Sequence, residues 1–288
     1  MTGAMAGSSF AQVAMSRALW LPPNGALHGA VLDRLLEWNL SVLAGLLVLA
    51  HLILVYALVR RRGRGAAATG PAAYPPIGAR LRWMGPPGSV SPRSTLLPRL
   101  WTAELVPTLL CCLLFGVMAI TSERLWAALR YTGPAPGAMQ VEVVGVQFQW
   151  YFRYPGSDAR FGAARPQLVD AAGGNPLGLD PNDKAGRDDV VSSVLILPVG
   201  REVDLRLRAH DVIHGFFVPG MRLKQNAVPG LELHVHFTPV TAGIYPILCT
   251  QVCGSGHARM QAQLRVVPPE QFESWIAAGE RAVEQASR

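Results

Sequence analysis

Two long apolar runs, followed by a switch to short alternating ones, divide the chain into a part built of helices and a part built of strands. Leu40 to Val59 is 20 residues without an Asp, Glu, Lys or Arg. As a helix at about 1.5 Å per residue it would span about 30 Å, which matches the core of a bilayer. Leu105 to Ser122 is a second such run of 18, bounded by Glu104 and Glu123. Charge-free runs of this length predict membrane spans rather than buried soluble helices. Asp33 to Trp38 is an amphipathic lead-in to the first span. Residues 1 to 39 have no Lys or Arg before Arg17, and Ser, Gly and Pro break up their apolar residues, which gives a secretory signal little support. The loop from Arg60 to Ala103 holds seven prolines, which argues against a core of its own.

Beyond the second span the period falls to two. Val203, Leu205 and Leu207 alternate with Asp204, Arg206 and Arg208; Leu231, Leu233, Val235 and Phe237 alternate with Glu232, His234, His236 and Thr238. These patterns predict half-buried strands. Val141 to Tyr154, Val190 to Leu197 and Gln261 to Val267 are further strand candidates, separated by stretches rich in Gly and Pro. Several strands with no helices between them predict a β-sandwich or Greek-key barrel. Pro268 and Pro269 then open a terminal helix with an apolar face of Phe272, Trp275 and Ile276. The insert from Pro155 to Asp189 is rich in Gly, Pro and Asp and is expected to be a solvated loop. Its Asp spacing does not meet the calcium-loop pattern.

Charge sharpens this division. The net charge is +7, a value that would invite nucleic acid if it were spread over the β part. Residues 1 to 130 carry 12 Lys and Arg against 4 Asp and Glu, whereas residues 131 to 288 carry 14 against 15. The excess belongs to the membrane part, so no nucleic-acid partner is expected. Eight arginines and no acid lie between the two spans. By the positive-inside rule that loop is cytoplasmic, which places both termini and the β part outside.

The candidate chemistry lies in twelve residues, Cys249 to Met260, which read C-x3-C-x3-H-x2-M. Thiolate, thioether and imidazole together suit copper, with zinc as the competing choice. A single copper of the blue type needs one Cys, which leaves the second unexplained. Two sulfurs four residues apart could instead bridge two ions, each finished by one His and one weak ligand. Outside the cytoplasm a disulfide between Cys249 and Cys253 is the rival reading, whereas Cys111 and Cys112 sit within the second span, where packing is the default. The second His must come from elsewhere. His28 and His51 lie in the N-terminal and membrane portions, and His234 and His236 share the polar face of a strand. His210 and His214 lie just beyond the Val203 to Leu207 strand, where a β scaffold presents ligands. Spacing does not separate these two.

Asp211-Val-Ile-His214-Gly-Phe-Phe-Val-Pro219, Lys224-Gln-Asn-Ala-Val-Pro-Gly230 and the Cys249 to Met260 loop resemble subunit II of haem-copper cytochrome c oxidases. The two spans and Gly145-Val-Gln-Phe148-Gln-Trp150-Tyr-Phe-Arg-Tyr154 fit the same family. The resemblance implies a two-helix transmembrane hairpin followed by an all-β cupredoxin-like Greek-key domain that holds a dinuclear copper centre, CuA. Cys249 and Cys253 would bridge the two coppers, His214 and His257 would each bind one, Met260 would be a weak ligand, and Gln251 would offer its backbone carbonyl. His210 would be a loop residue. The implied organisation is an extracytoplasmic segment over 1–39, spans over 40–59 and 104–123 joined by a cytoplasmic Arg/Pro-rich loop over 60–103, the CuA domain over 131–267, and a helix over 268–288.

The chain departs from the family at three places. Phe148 stands where many relatives have the Trp at which an electron enters, while Trp150 matches a second Trp. Gln251 stands where many relatives have a Glu that helps hold magnesium, and an amide is the weaker partner for a hard cation, so no magnesium site is expected; Gln at this position resembles the B-type branch. Pro107 replaces a Trp beside Glu104, whose counterpart lies near the mouth of a proton channel. With no Cys-x-x-Cys-His motif, no haem domain is fused to the chain. The resemblance implies an electron-entry subunit in a bacterial-type plasma membrane, its C-terminal domain on the periplasmic side. Its partners would be cytochrome c or a similar donor and the catalytic subunit I. The alternatives are the CuA subunit of a nitric oxide reductase, a membrane-tethered copper-delivery protein, and a structural zinc site.

Overall fold

The computed structural model describes residues 21–65 and 97–286, so most of the Arg/Pro-rich loop and the first twenty residues lie outside the described residues. The chain divides into two compact units, one over Leu36–Leu125 and the other formed by the chain on either side of it.

The first unit is built from two helices, α1 (Gly29–Gly65) and α2 (Leu97–Arg130). Each runs past its uncharged window at both ends, and the second continues through Pro107. Their apolar windows, Gly29–Arg62 and Glu104–Arg130, are long enough to cross a membrane and bury none of their side chains within the molecule. Leu47, Leu52, Leu109 and Leu113 all stand exposed. Glu104 opens the second window, and the Thr108 hydroxyl, next to Pro107, donates to its main-chain carbonyl at 2.7 Å.

The second unit is a sandwich of two five-stranded sheets. The strands are β1 (Met139–Val146), β2 (Gln149–Tyr154), β3 (Val190–Ser192), β4 (Val194–Pro198), β5 (Val203–Ala209), β6 (His214–Val218), β7 (Leu223–Ala227), β8 (Leu233–Phe237), β9 (Gly243–Cys249) and β10 (Gln261–Val267). One sheet has the order β3-β2-β1-β5-β8 and the other β4-β10-β9-β6-β7. The pairs β1/β5 and β4/β10 are parallel and the remaining pairs antiparallel. Alternate residues of every long strand point inward, so Val141, Val143, Leu205, Leu207, Phe216, Ile247 and Leu264 are fully buried between the sheets. The terminal helix α3 (Pro269–Ala286) closes one side, its Trp275 packed edge-on to Tyr154 with ring centroids 4.9 Å apart.

Four expectations are corrected. Val141 to Tyr154 is a hairpin rather than one strand: the chain reverses at Gln147-Phe148, and Val146 pairs with Gln149. The apolar run continues through the turn without a Gly or Pro pair, which is why its pattern does not show the break. Val190 to Leu197 is likewise two strands in different sheets; Ser193 separates them, and the Ser192 hydroxyl accepts from the Val194 amide at 3.0 Å. The N-terminal segment is not separate from the β domain. Gly25 and Leu27 amides donate to the Gly220 and Thr238 carbonyls at 2.8 and 2.9 Å, and Arg222 pairs with Asp33 at 2.7 Å.

The fourth correction concerns the insert from Pro155 to Asp189, which is not simply a solvated loop. It folds over the outer face of the first sheet, where β1, β2 and β5 present Glu142, Arg153 and Arg206. Phe161 lies under both the Arg153 and Arg206 guanidinium groups, at 5.3 and 5.2 Å, and Leu177 is buried on the Glu142 and Arg208 side. Arg153, only 1% exposed, pairs with Glu142 at 3.2 Å and with Asp189, and donates to the Gly162 carbonyl. A charge on a nominally outward face is tolerated here because partners arrive from both the sheet and the insert.

Candidate metal centre

Two adjacent strands of the second sheet deliver the donors. β6 begins with His214 and β9 ends with Cys249, and the ladder between them sets Phe216 opposite Cys249. The Thr250 amide donates to the Gly215 carbonyl at 2.9 Å and the Cys249 amide to the Met260 carbonyl at 3.2 Å, so both ends of the twelve-residue loop are anchored to the sheet. A short 3-10 turn, His257–Arg259, then brings His257 back toward the thiols before β10.

One atom each from His214, Cys249 and Cys253 lies within 4.8 Å of the others. The two sulfurs are 3.9 Å apart and both cysteines are free, far beyond the roughly 2.05 Å of a disulfide. Cys253 Sγ stands 3.6 Å from His257 Nδ1 and 3.8 Å from Met260 Sδ, and Cys249 Sγ is 3.3 Å from the Gln251 carbonyl oxygen. The loop thus gathers the donors spaced as C-x3-C-x3-H-x2-M around Cys253, and β6 adds His214 from the far side. His210 is not among them: it sits in the bend before β6, its amide on the Gly145 carbonyl at 3.1 Å. His234 on β8 is held by Asp204 at 2.8 Å and Glu232 at 3.3 Å.

His214 is fully buried, and its two nitrogens have different surroundings. Nε2 lies 2.8 Å from Asp211 Oδ1, whereas Nδ1 is buried with no hydrogen-bond partner. Asp211 also accepts from the Gln147 and Val212 amides at 2.6 and 2.7 Å and so is best satisfied as a carboxylate. That network assigns the proton to Nε2 and leaves Nδ1 with a bare lone pair, on a ring that lies beside the two thiols. A buried nitrogen without a partner is costly unless something binds it. This orphaned atom beside two thiols, an imidazole and a thioether fits a soft or borderline metal such as copper.

The surroundings support the same arrangement. Trp150 is fully buried and meets His214 edge-on, with ring centroids 5.8 Å apart, and meets Phe216 at 5.3 Å. Gly145 leaves room for these rings: a Cβ there would fall 2.8 Å from His214 Cδ2 and 3.1 Å from the Trp150 ring. Phe148 is partly exposed and lies against Gly254 and Gly256 of the loop. Burial, with the Cys249 thiol alongside, pushes the Cys253 thiol up to about 11, so a bound metal must displace a firmly held proton. Burial would raise the Asp211 carboxyl, but the His214 ring and the two amides outweigh it and hold it below the usual carboxylate range. Sequence reasoning gave no role to Asp211 or Gln147. Their signal was positional only, since Asp211 lies three residues before His214 and Gln147 lies within the aromatic run.

Residues 139–267 match the family model described as cytochrome C oxidase subunit II, periplasmic domain. Over 163 residues the chain is 35% identical to the alternative cytochrome c oxidase subunit 2 of Bradyrhizobium diazoefficiens, covering 56% of this chain and 58% of that one. Over 143 residues it is 36% identical to cytochrome c oxidase subunit 2 of Thermostichus vulcanus, covering 50% and 34%. The chain therefore spans between about a third and somewhat over half the length of these two relatives. Among solved structures, the periplasmic domain of subunit II of cytochrome oxidase from Bradyrhizobium japonicum is similar at 25% identity and a TM-score of 0.38, covering 51% of this chain and 98% of that one.

Proposed function

We propose, from the premise that the chain belongs to the cytochrome c oxidase subunit II family through residues 139–267, that it is the electron-entry subunit of a respiratory oxidase. In this reading it accepts electrons from cytochrome c or a similar carrier at a dinuclear copper centre and passes them to haem in the catalytic subunit I. Cys249, Cys253, His214 and His257 would hold the two ions, with Met260 as a weak ligand and the Gln251 carbonyl as a further donor. Helices α1 and α2 anchor the chain in a bacterial plasma membrane, with the arginine-rich loop inside and the β domain on the periplasmic side.

The observation that carries this reading is the buried His214 Nδ1, left without a partner beside two free thiols. Copper held there would supply a one-electron carrier. The protein supplies the rest. Asp211 keeps the proton on Nε2, which aims Nδ1 at the thiols. Trp150, itself backed by Phe216, lies edge-on to the fully buried imidazole, so water is excluded from that side of the ring. The β6/β9 ladder fixes His214 relative to Cys249, because a site carried on paired strands is held more tightly than one on loops alone. Phe148, at the loop surface, is the proposed point of donor contact, with Trp150 behind it. Glu104, at the start of the α2 window, is the proposed proton-channel entrance.

The test is to purify the complex that contains the full chain and to measure its metals, haems and electron spin resonance. Two coppers per chain, with one unpaired electron shared by both nuclei, are expected. A single copper with the spectrum of an isolated ion, or zinc in its place, would overturn the reading. Rapid loss of copper to a mild chelator would favour metal delivery, and a co-purifying nitric oxide reductase subunit would redirect the acceptor.

A further inference from the structure

The β1–β2 turn touches both segments that carry the metal-binding residues, and one residue makes both contacts. The main-chain N–H of Gln147 donates to Asp211 Oδ2 at 2.6 Å, and the other oxygen of that carboxylate holds His214 Nε2 at 2.8 Å. The Gln147 side-chain amide, Nε2, donates to the Cys253 carbonyl, also at 2.6 Å. We infer that Gln147 is a positioning residue, a clasp that fixes the distance between the His214 segment and the outer half of the Cys249 to Met260 loop.

The need for such a clasp follows from how the loop is otherwise held. Its ends are secured to the sheet through Cys249, Thr250 and Met260. Between them, the recorded main-chain bonds of Gly254, Gly256 and His257 stay within the loop itself. Cys253 therefore depends on contacts from outside, and the β1–β2 turn provides them: the Gln147 amide on its carbonyl and the Phe148 ring against Gly254 and Gly256. Gly254 is shaped for this approach. Its φ is +136°, a region that disfavours side chains, and a Cβ there would lie 3.0 Å from Gln147 Nε2. The side chain is also well chosen. A glutamate of the same length would press a carboxylate against a carbonyl oxygen, and a methionine would keep the shape without the donor.

The inference rests on the metal reading above, and the experiment separates the two. The full chain in detergent is compared as wild type, Gln147→Met, Gln147→Glu and the neighbouring exposed Gln149→Met. The main-chain bond to Asp211 survives every one of these changes, so the fold is expected to be retained. With copper salts as the probe, both Gln147 variants should hold copper roughly 10–100-fold more weakly, the range for losing a partner just outside the ligands. They should also show altered copper hyperfine splitting in electron spin resonance, while Gln149→Met matches wild type. In the metal-free chain, the two Gln147 variants should expose the Cys249 and Cys253 thiols to a disulfide reagent faster than wild type does. If wild type binds copper and the Gln147 variants match it in retention and spectrum, the clasp is refuted and the metal reading stands. If wild type binds no copper, the metal reading fails, and unchanged thiol reactivity in the metal-free variants then refutes the clasp as well.

Discussion

The β domain buries two clusters of polar groups, and they are built on opposite principles. Under the insert, Arg153, Glu142 and Asp189 come from three segments and pair with one another, Arg208 pairs with the other Glu142 oxygen at 3.2 Å, and the Gly162 carbonyl accepts a further N–H of the Arg153 guanidinium. At the ends of β6 and β9, His214, Cys249 and Cys253 also come from separate segments, but they bring together donor atoms of one kind: a bare nitrogen and two sulfurs. The first cluster pairs its charges within the protein and fastens the insert to the sheet, although Asp189 Oδ1 is itself buried without a partner. The second is left incomplete by the protein alone, and its members sit close together only because the ladder and Asp211 hold them there. Among buried polar groups, opposite charges that pair with one another mark scaffold, and donor atoms that converge without a charge partner among them mark a binding site.

Substitution at each cluster should therefore produce different losses. The largest is expected for Cys253→Ser: the copper centre should disappear from the spin-resonance spectrum, whereas the metal-free chain should unfold at nearly the wild-type urea concentration, because the oxygen is a smaller but compatible neighbour. A stability loss as large as the spectral one would show that Cys253 is scaffold. Arg153→Ala should do the reverse. Removing one partner from a buried ion pair leaves an uncompensated charge, at a cost of about 3–5 kcal/mol, so urea unfolding should shift strongly while the folded fraction keeps its copper. Tyr154→Phe is smaller. Its hydroxyl donates to the Ile196 carbonyl at 3.1 Å and accepts from the Ile196 amide at 2.7 Å, joining the two sheets, and its loss should cost about 1–2 kcal/mol without moving the copper spectrum.

The same contrast explains what the sequence makes legible. Four of the five proposed side-chain ligands lie within Cys249 to Met260, so their chemistry can be recognised from spacing alone. The apolar helices are legible because a lipid-facing surface demands an unbroken run of one residue class. The fifth ligand is different: His210 and His214 are equivalent by position, and only the resemblance, and then the geometry around Asp211, distinguishes them. The scaffold cluster leaves still less trace. Arg153 occupies an outward position on β2, Glu142 an outward position on β1, and Asp189 the end of a polar insert, and each by itself reads as solvated. Their burial depends on Phe161 and Leu177 arriving from the insert, a long-range contact that no local period encodes. The turn at Gln147-Phe148 and the change of sheet at Ser193 are hidden for a related reason, since neither is marked by a Gly or a Pro.

The smallest predicted effect is also the one that sets the two clusters most directly against each other. Burial, more than offsetting the Gly162 amide and Arg153, raises the Asp189 carboxyl, whereas the hydrogen bonds to Asp211 lower its carboxyl despite burial; both are compared with an ordinary value of 3.8. The signs of the stability effects follow by linkage. Asp211 has a depressed folded value, so its contribution is present above 3.8 and is lost as pH falls through that folded value. Asp189 has an elevated folded value, so the folded chain takes up a proton first, and its own contribution grows as pH falls through the window above 3.8. In urea unfolding of the metal-free chain, the stability difference between wild type and Asp211→Asn should shrink on acidification below 3.8. The difference between wild type and Asp189→Asn should move in wild type's favour as pH falls toward 3.8 from above. Slopes of the same sign for the two pairs would mean that the site carboxylate is held no differently from the scaffold one, and that the division between the clusters is not electrostatic.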